Sequence, residues 1–122
     1  MSESVRELMI ESGFDYDNAV YRFLGNEQMY QKFLKKLLED TCYEQIVQGL
    51  AKQSAADVFS SAHTLKGVAA NLGITPVQQL ASHITEATRD KADADVDFAQ
   101  IEVMTRQLEE KYRRSCELIA ML

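Results

Sequence analysis

A chain of 122 residues with a hydrophobic fraction of 46% is sized for one domain, 1–122, around a single apolar core. Its formal net charge of −6 argues against nucleic acid as a partner, because gripping a phosphate backbone takes clustered Lys and Arg. No apolar run approaches the roughly 20 residues that span a bilayer, and the polar, acidic opening MSESVRELMIES reads as neither a signal nor a transit peptide, so no membrane partner is expected and the expected compartment is the cytoplasm.

Apolar residues recur at helical spacing and nowhere alternate with period two, which sets α/β classes aside and points to an all-α fold. Phe14-Asp15 precedes YDNAVYRFL, a short helix that Gly25 and Asn26 can close, since both tolerate a left-handed cap. Asn26 then N-caps EQMYQKFLKKLLED, where Tyr30, Phe33, Leu34, Leu37 and Leu38 form a broad apolar stripe. The pattern continues through Ile46, Val47 and Leu50, with a bend expected near Thr41. Gly49 costs this helix about 1 kcal/mol relative to Ala, so fraying is expected beyond it. Lys32, Lys35 and Lys36 on the same helix read as a solvated face.

Ser54 and Asp57 give an S-x-x-D start, a weaker relative of the capping box. After it, Val58, Ala62, Leu65, Ala69 and Leu72 repeat at four-three-four-three spacing as a buried seam, and Gly73 follows as the left-handed cap. Thr75, Pro76 and Gln78 read as N-cap, N1 and N3 of the next helix, whose apolar face is Val77, Leu80, Ile84 and Ala87. RDKADADVD (89–97) is a polar linker. Asp95 or Asp97 starts the last helix, where Ile101, Met104, Leu108, Tyr112, Ser115 and Ile119 face inward.

Bundle helices at 27–52, 55–72, 76–90 and 97–121, joined by short loops, pack most simply as an up-and-down antiparallel four-helix bundle. One or two extra short N-terminal helices should cover one end. Cys42 and Cys116 show neither metal-ligand spacing nor a CxxC motif and read as reduced core residues.

Chemistry concentrates in SSAHTLKGVAANLG, 60–73. Residues three and four apart are neighbours on a helix surface, so His63, Lys66 and Gly67 share one patch. His63 is turned by about 100° from the seam residue Ala62 and should be largely exposed. Phe59 sits one turn before it. Gly67, one turn after, has no side chain and opens the surface to a bulky partner. Lys66 can offset negative charge placed on the imidazole. A histidine of ordinary pKa is mostly neutral and nucleophilic at neutral pH. Phosphoryl transfer passes through a loose transition state, so positioning and charge neutralisation do most of its catalysis. The patch suits a residue that takes up a phosphoryl group and gives it back.

His63-Thr64-Leu65-Lys66-Gly67, followed by Ala69-Ala70-Asn71-Leu72-Gly73, resembles the signature of histidine-containing phosphotransfer (HPt) domains, helical bundles that pass phosphoryl groups between aspartates of receiver domains in multistep two-component phosphorelays. The resemblance extends over residues 14–120, with GNEQMYQKFLKKLLED similar to the family's long first bundle helix. It implies that His63 is the phosphorylated residue, that Lys66 is its charge partner and that Gly67, with Phe59 and Ala70, forms the access and docking surface. It also implies receiver domains, and a hybrid sensor histidine kinase, as partners. No cofactor is implied in this chain; magnesium would belong to the receiver's aspartate pocket. Family members often place a Gln or Glu on the next helix to hydrogen-bond the imidazole. Counting back across the Gly73 turn puts Thr85, and one turn earlier Ser82, opposite His63. Glu86 falls about 100° away.

His83, the other histidine of the chain, lies away from the patch and reads as a surface residue. Two histidines without nearby Cys or clustered carboxylates make a poor metal site. GxGxxG, Walker-type and GxSxG motifs are absent, so the chain is expected to be a monomeric carrier without autokinase activity. Because it starts at Met1 with no flanking catalytic region, it is expected to stand alone. The competing expectation is a helical interaction module that docks a receiver or kinase domain without ever being phosphorylated. Met29, Tyr30 and Phe33 would border an apolar docking surface in either case, unless they are core.

Overall fold

Side-chain caps set where most of the helices begin. In the computed structural model, which describes residues 4–122, Ser4, Asn26, Ser54 and Asp97 each accept a hydrogen bond from the backbone N–H three residues on. Each satisfies one of the orphan donors of a first helical turn. The first three residues of the polar opening segment lie outside the described residues. The helices are α1 (Val5–Glu11), α2 (Tyr16–Arg22), α3 (Glu27–Lys36), α4 (Cys42–Ala51), α5 (Ala55–Leu72), α6 (Thr75–Thr88) and α7 (Phe98–Ala120). Short 3₁₀ turns follow α3 and precede α7. The fold is all-α. α4 packs on α5 and α7, α5 on α6, and α6 on α7, which closes an up-and-down antiparallel four-helix ring. α1 and α2 are the extra short N-terminal helices.

The expected continuous helix 27–52 is divided. α3 ends at Lys36, Leu37–Glu39 form a 3₁₀ turn, and Asp40 is extended at φ −73°, ψ 139°. The Asp40 carboxylate accepts from the Cys42 N–H at 2.7 Å and so starts a new helix, which sharpens the expected bend into a break. Leu37 turns inward there, while Leu38 stays 46% exposed and leaves the expected stripe. Val47 is likewise exposed, because Ile46 takes the inward position on α4. α4 runs on to Ala51, two residues past Gly49. A Cβ at that residue would lie 3.0 Å from the Val58 N and 3.1 Å from the Asp57 Cβ, so the glycine lets α4 approach the start of α5 closely.

The α5 seam is buried throughout, at Val58, Ala62, Leu65, Ala69 and Leu72. α5 ends at Gly73, with φ +70°. Thr75 is not the N-cap of α6: Ile74 is, and Thr75 is already helical. The reason is tertiary. The Ile74 side chain is fully buried, and its backbone pairs with Phe14 in an isolated antiparallel bridge. A buried anchor thus overrides the local capping signal.

N-terminal elements supply donors to the carbonyl end of α5. Arg22 donates to the Ala70 oxygen at 3.0 Å and the Asn71 oxygen at 3.4 Å. The Tyr30 hydroxyl donates to the Leu72 oxygen at 2.7 Å, and the Asp15 N–H donates to the Gly73 oxygen at 2.8 Å. These bonds satisfy acceptors that a helix end leaves without intrahelical partners. They also make Gly73 demanding: a Cβ there would sit 2.9 Å from the Asp15 oxygen and 3.0 Å from the Ala19 Cβ. Gly73→Ala combines a left-handed backbone penalty with a clash. Its expected cost is about 2–4 kcal/mol, read as a lower urea midpoint at unchanged slope. An unchanged midpoint would show that the turn yields freely.

Tyr30 is fully buried, packed edge-on against Tyr16 with ring centroids 5.0 Å apart, so it belongs to the core and not to a docking surface. Met29 and Phe33 remain on the outside, 45% and 38% exposed. Cys42 and Cys116 are free thiols. Burial, helped by Asp40, pushes the Cys42 thiol up to about 11, and burial raises that of Cys116 as well. Among the described residues no helix is long and apolar enough to cross a membrane.

Candidate functional site

Burying the α5 seam leaves the flank of the helix facing outward. His63 and Gly67 are exposed on that flank, with Lys66 half-buried beside them. A Cβ added to Gly67 would meet nothing within 4 Å. The spot beside the imidazole is therefore open on the free protein. His63, Lys66 and Gly67 thus lie at i, i+3 and i+4 along one flank of α5.

Phe59, half-buried one turn earlier, stacks on His63 with ring centroids 5.6 Å apart and planes 8° from parallel. The Arg89 guanidinium carbon lies 5.1 Å from the Phe59 ring centroid. Arg89 in turn donates to Glu86, from Nε at 3.2 and 3.3 Å and from Nη2 at 3.1 Å. The hydrogen bond from Arg89 holds the exposed Glu86 carboxyl below its ordinary range, and the positive charges of Arg89 and Lys66 act in the same direction.

Thr85 is not opposite the imidazole. It is fully buried and its hydroxyl donates to the Ala81 oxygen at 2.7 Å. The inward face of α6 is built from Val77, Ala81, Ile84, Thr85 and Thr88. Burial of that face turns the next residue, Glu86, outward, where it is exposed and accepts from Arg89. Ser82 is half-buried and makes no hydrogen bond to the ring. Among the described residues no side chain hydrogen-bonds His63. His83 is exposed on α6. Ala70 is half-buried, and its carbonyl receives Arg22.

Sequence reasoning gave Phe59 a docking role, set Glu86 aside and passed over Arg89. The signals were present: an aromatic four residues before a histidine, and an acidic residue three before an arginine, are both contact spacings on a helix. Beyond the patch, Phe33 and Lys36 with Leu37, Asp40, Val68, Asn71 and Leu72 line a hollow of about 210 Å³ between α3 and α5. The Lys36 ammonium sits 4.4 Å from the Phe33 ring centroid. No cluster of three or more His, Cys, Asp or Glu among the described residues could hold a metal ion.

A protein-family model described as Hpt domain matches residues 28–115, well over half of the chain. No curated protein and no solved structure matches it.

Proposed function

The chain belongs to the Hpt domain family, whose work is histidine phosphotransfer in two-component phosphorelays, and on that premise we propose that His63 is the residue that takes up and returns the phosphoryl group. One observation carries this reading: an exposed imidazole on α5 beside a lysine and an unobstructed glycine. A ring nitrogen of the neutral imidazole attacks the phosphorus of a phospho-aspartyl receiver. The nitrogen–phosphorus bond forms as the bond from phosphorus to the aspartyl oxygen breaks, and the electron pair leaves with the carboxylate. The reverse reaction loads a second receiver, and a hybrid sensor histidine kinase is the other donor that fits. The bundle closes within one chain, which supports a monomeric carrier, and no membrane span among the described residues opposes a cytoplasmic setting.

Gly67 gives the receiver's aspartate pocket room to reach His63. Phe59 and Ala70 border that approach. Lys66, three residues on along the same face, offsets negative charge on the transferred group. Lys66→Ala should fold as the wild type does and transfer about tenfold more slowly, since a half-buried cation on a helix flank contributes modestly. Single-turnover transfer from a labelled receiver measures this, and an unchanged rate removes Lys66 from the mechanism. The defining experiment is incubation with a phosphorylated receiver domain. The carrier gains an alkali-stable, acid-labile label. A chain that binds the receiver yet never takes label is an interaction module instead.

A further inference from the structure

An exposed imidazole turns freely about two side-chain bonds unless something holds it, and phosphoryl transfer is sensitive to that freedom because the attacking nitrogen must lie in line with the leaving oxygen. In this chain the holding group is not a hydrogen-bond partner: Thr85 is committed to its own helix. What does touch the ring is Phe59.

Phe59 sits outside the buried core cluster and outside the half-buried residues packed against it, although an aromatic side chain on a helix flank ordinarily covers core. It lies against the near-parallel His63 ring and the Arg89 guanidinium. Arg89 is fixed in its own right. It follows the last residue of α6 with an extended backbone at φ −60°, ψ 125°, and its fork is tied to Glu86 through two nitrogens. Cation, aromatic ring and imidazole form a chain of contacts running from the end of α6 to the reactive residue of α5.

We propose that Phe59 is the positioning residue for His63, stacking on the imidazole while Arg89, tethered by Glu86, steadies the Phe59 ring. The proposal rests on His63 being the phosphoryl acceptor and adds what aims it. Orientation by stacking leaves both ring nitrogens free of protein partners, which a carboxylate hydrogen bond would not.

The test uses the full chain and two readouts. In proton NMR the His63 ring signals of the wild type lie upfield, shifted by the Phe59 ring current. Phe59→Leu removes that shift, and Phe59→Tyr keeps it. In single-turnover transfer from a phosphorylated receiver, Phe59→Leu lowers the maximal rate about three- to tenfold, the worth of one stacked aromatic pair. The half-saturating receiver concentration stays unchanged, and Phe59→Tyr restores the rate. Arg89→Gln slows the wild type but adds nothing in the Phe59→Leu background, because it acts through that ring. A raised half-saturating concentration at unchanged maximal rate makes Phe59 a docking residue and overturns the proposal, as does an absent ring-current shift or an unaffected rate. Independent, additive losses at the two sites overturn the part assigned to Arg89. A wild type that takes no label sinks the carrier reading itself, whereas a labelled wild type indifferent to Phe59 sinks only the stack.

Discussion

His63→Gln is expected to abolish uptake of label from a phosphorylated receiver, while His83→Ala takes up label as the wild type does. Glutamine keeps a polar, helix-compatible side chain of similar reach but offers no nitrogen lone pair able to bond phosphorus at neutral pH. The position is exposed on the flank of a helix whose stability comes from its buried seam, so the substitution should cost about 1 kcal/mol or less, the stack on Phe59 included. Loss of label in a protein that still melts cooperatively therefore reports chemistry and not unfolding. Label persisting in His63→Gln would move the acceptor elsewhere, and loss in His83→Ala would bring the second histidine into the reaction.

Gly67→Leu should pull stability and activity in opposite directions. A Cβ there meets nothing within 4 Å, and replacing glycine in the interior of a helix gains about 1 kcal/mol. The variant is expected to melt above the wild type. The leucine nevertheless fills the space through which, in the proposed reaction, a receiver brings its aspartyl phosphate to His63. Displacing the reacting atoms by about an ångström costs on the order of a hundredfold in rate, and transfer should fall by at least that much. Gly67→Ala should gain similar stability and lose less activity. Thermal unfolding and single-turnover transfer on the same samples check both halves. A Gly67→Leu protein that transfers at the wild-type rate would mean that the receiver approaches from another side.

Helix starts were the most legible part of the fold, because a cap is local chemistry. Asn26, Ser54 and Asp97 bond their own next turn whatever the rest of the chain does. The α5 seam was legible for the same reason, since its spacing alone sets which side is buried. Events decided by distant contacts were not. Asp40 breaks a segment whose apolar pattern runs straight through it. Ile74 takes the cap from Thr75 because the chain near Phe14 pairs with it. The site divides along the same line. His63, Lys66 and Gly67 share one helix, so their neighbourhood follows from spacing. The group opposite them lies on α6, whose rotation about its own axis is set by burial of Thr85 and Thr88. Counting residues across a turn carries no information about that rotation, and the count arrived at a residue, Thr85, that is fully buried.

The Hpt domain match begins at residue 28, yet Asp15 and Arg22 lie upstream of it and hold three of the four anchored oxygens at the C-terminal end of α5. Trimming the chain to its family outline would hand those oxygens to solvent and loosen the far end of the very rod that bears the imidazole. The perimeter that a shared ancestry draws is thus narrower than the perimeter that keeps α5 whole.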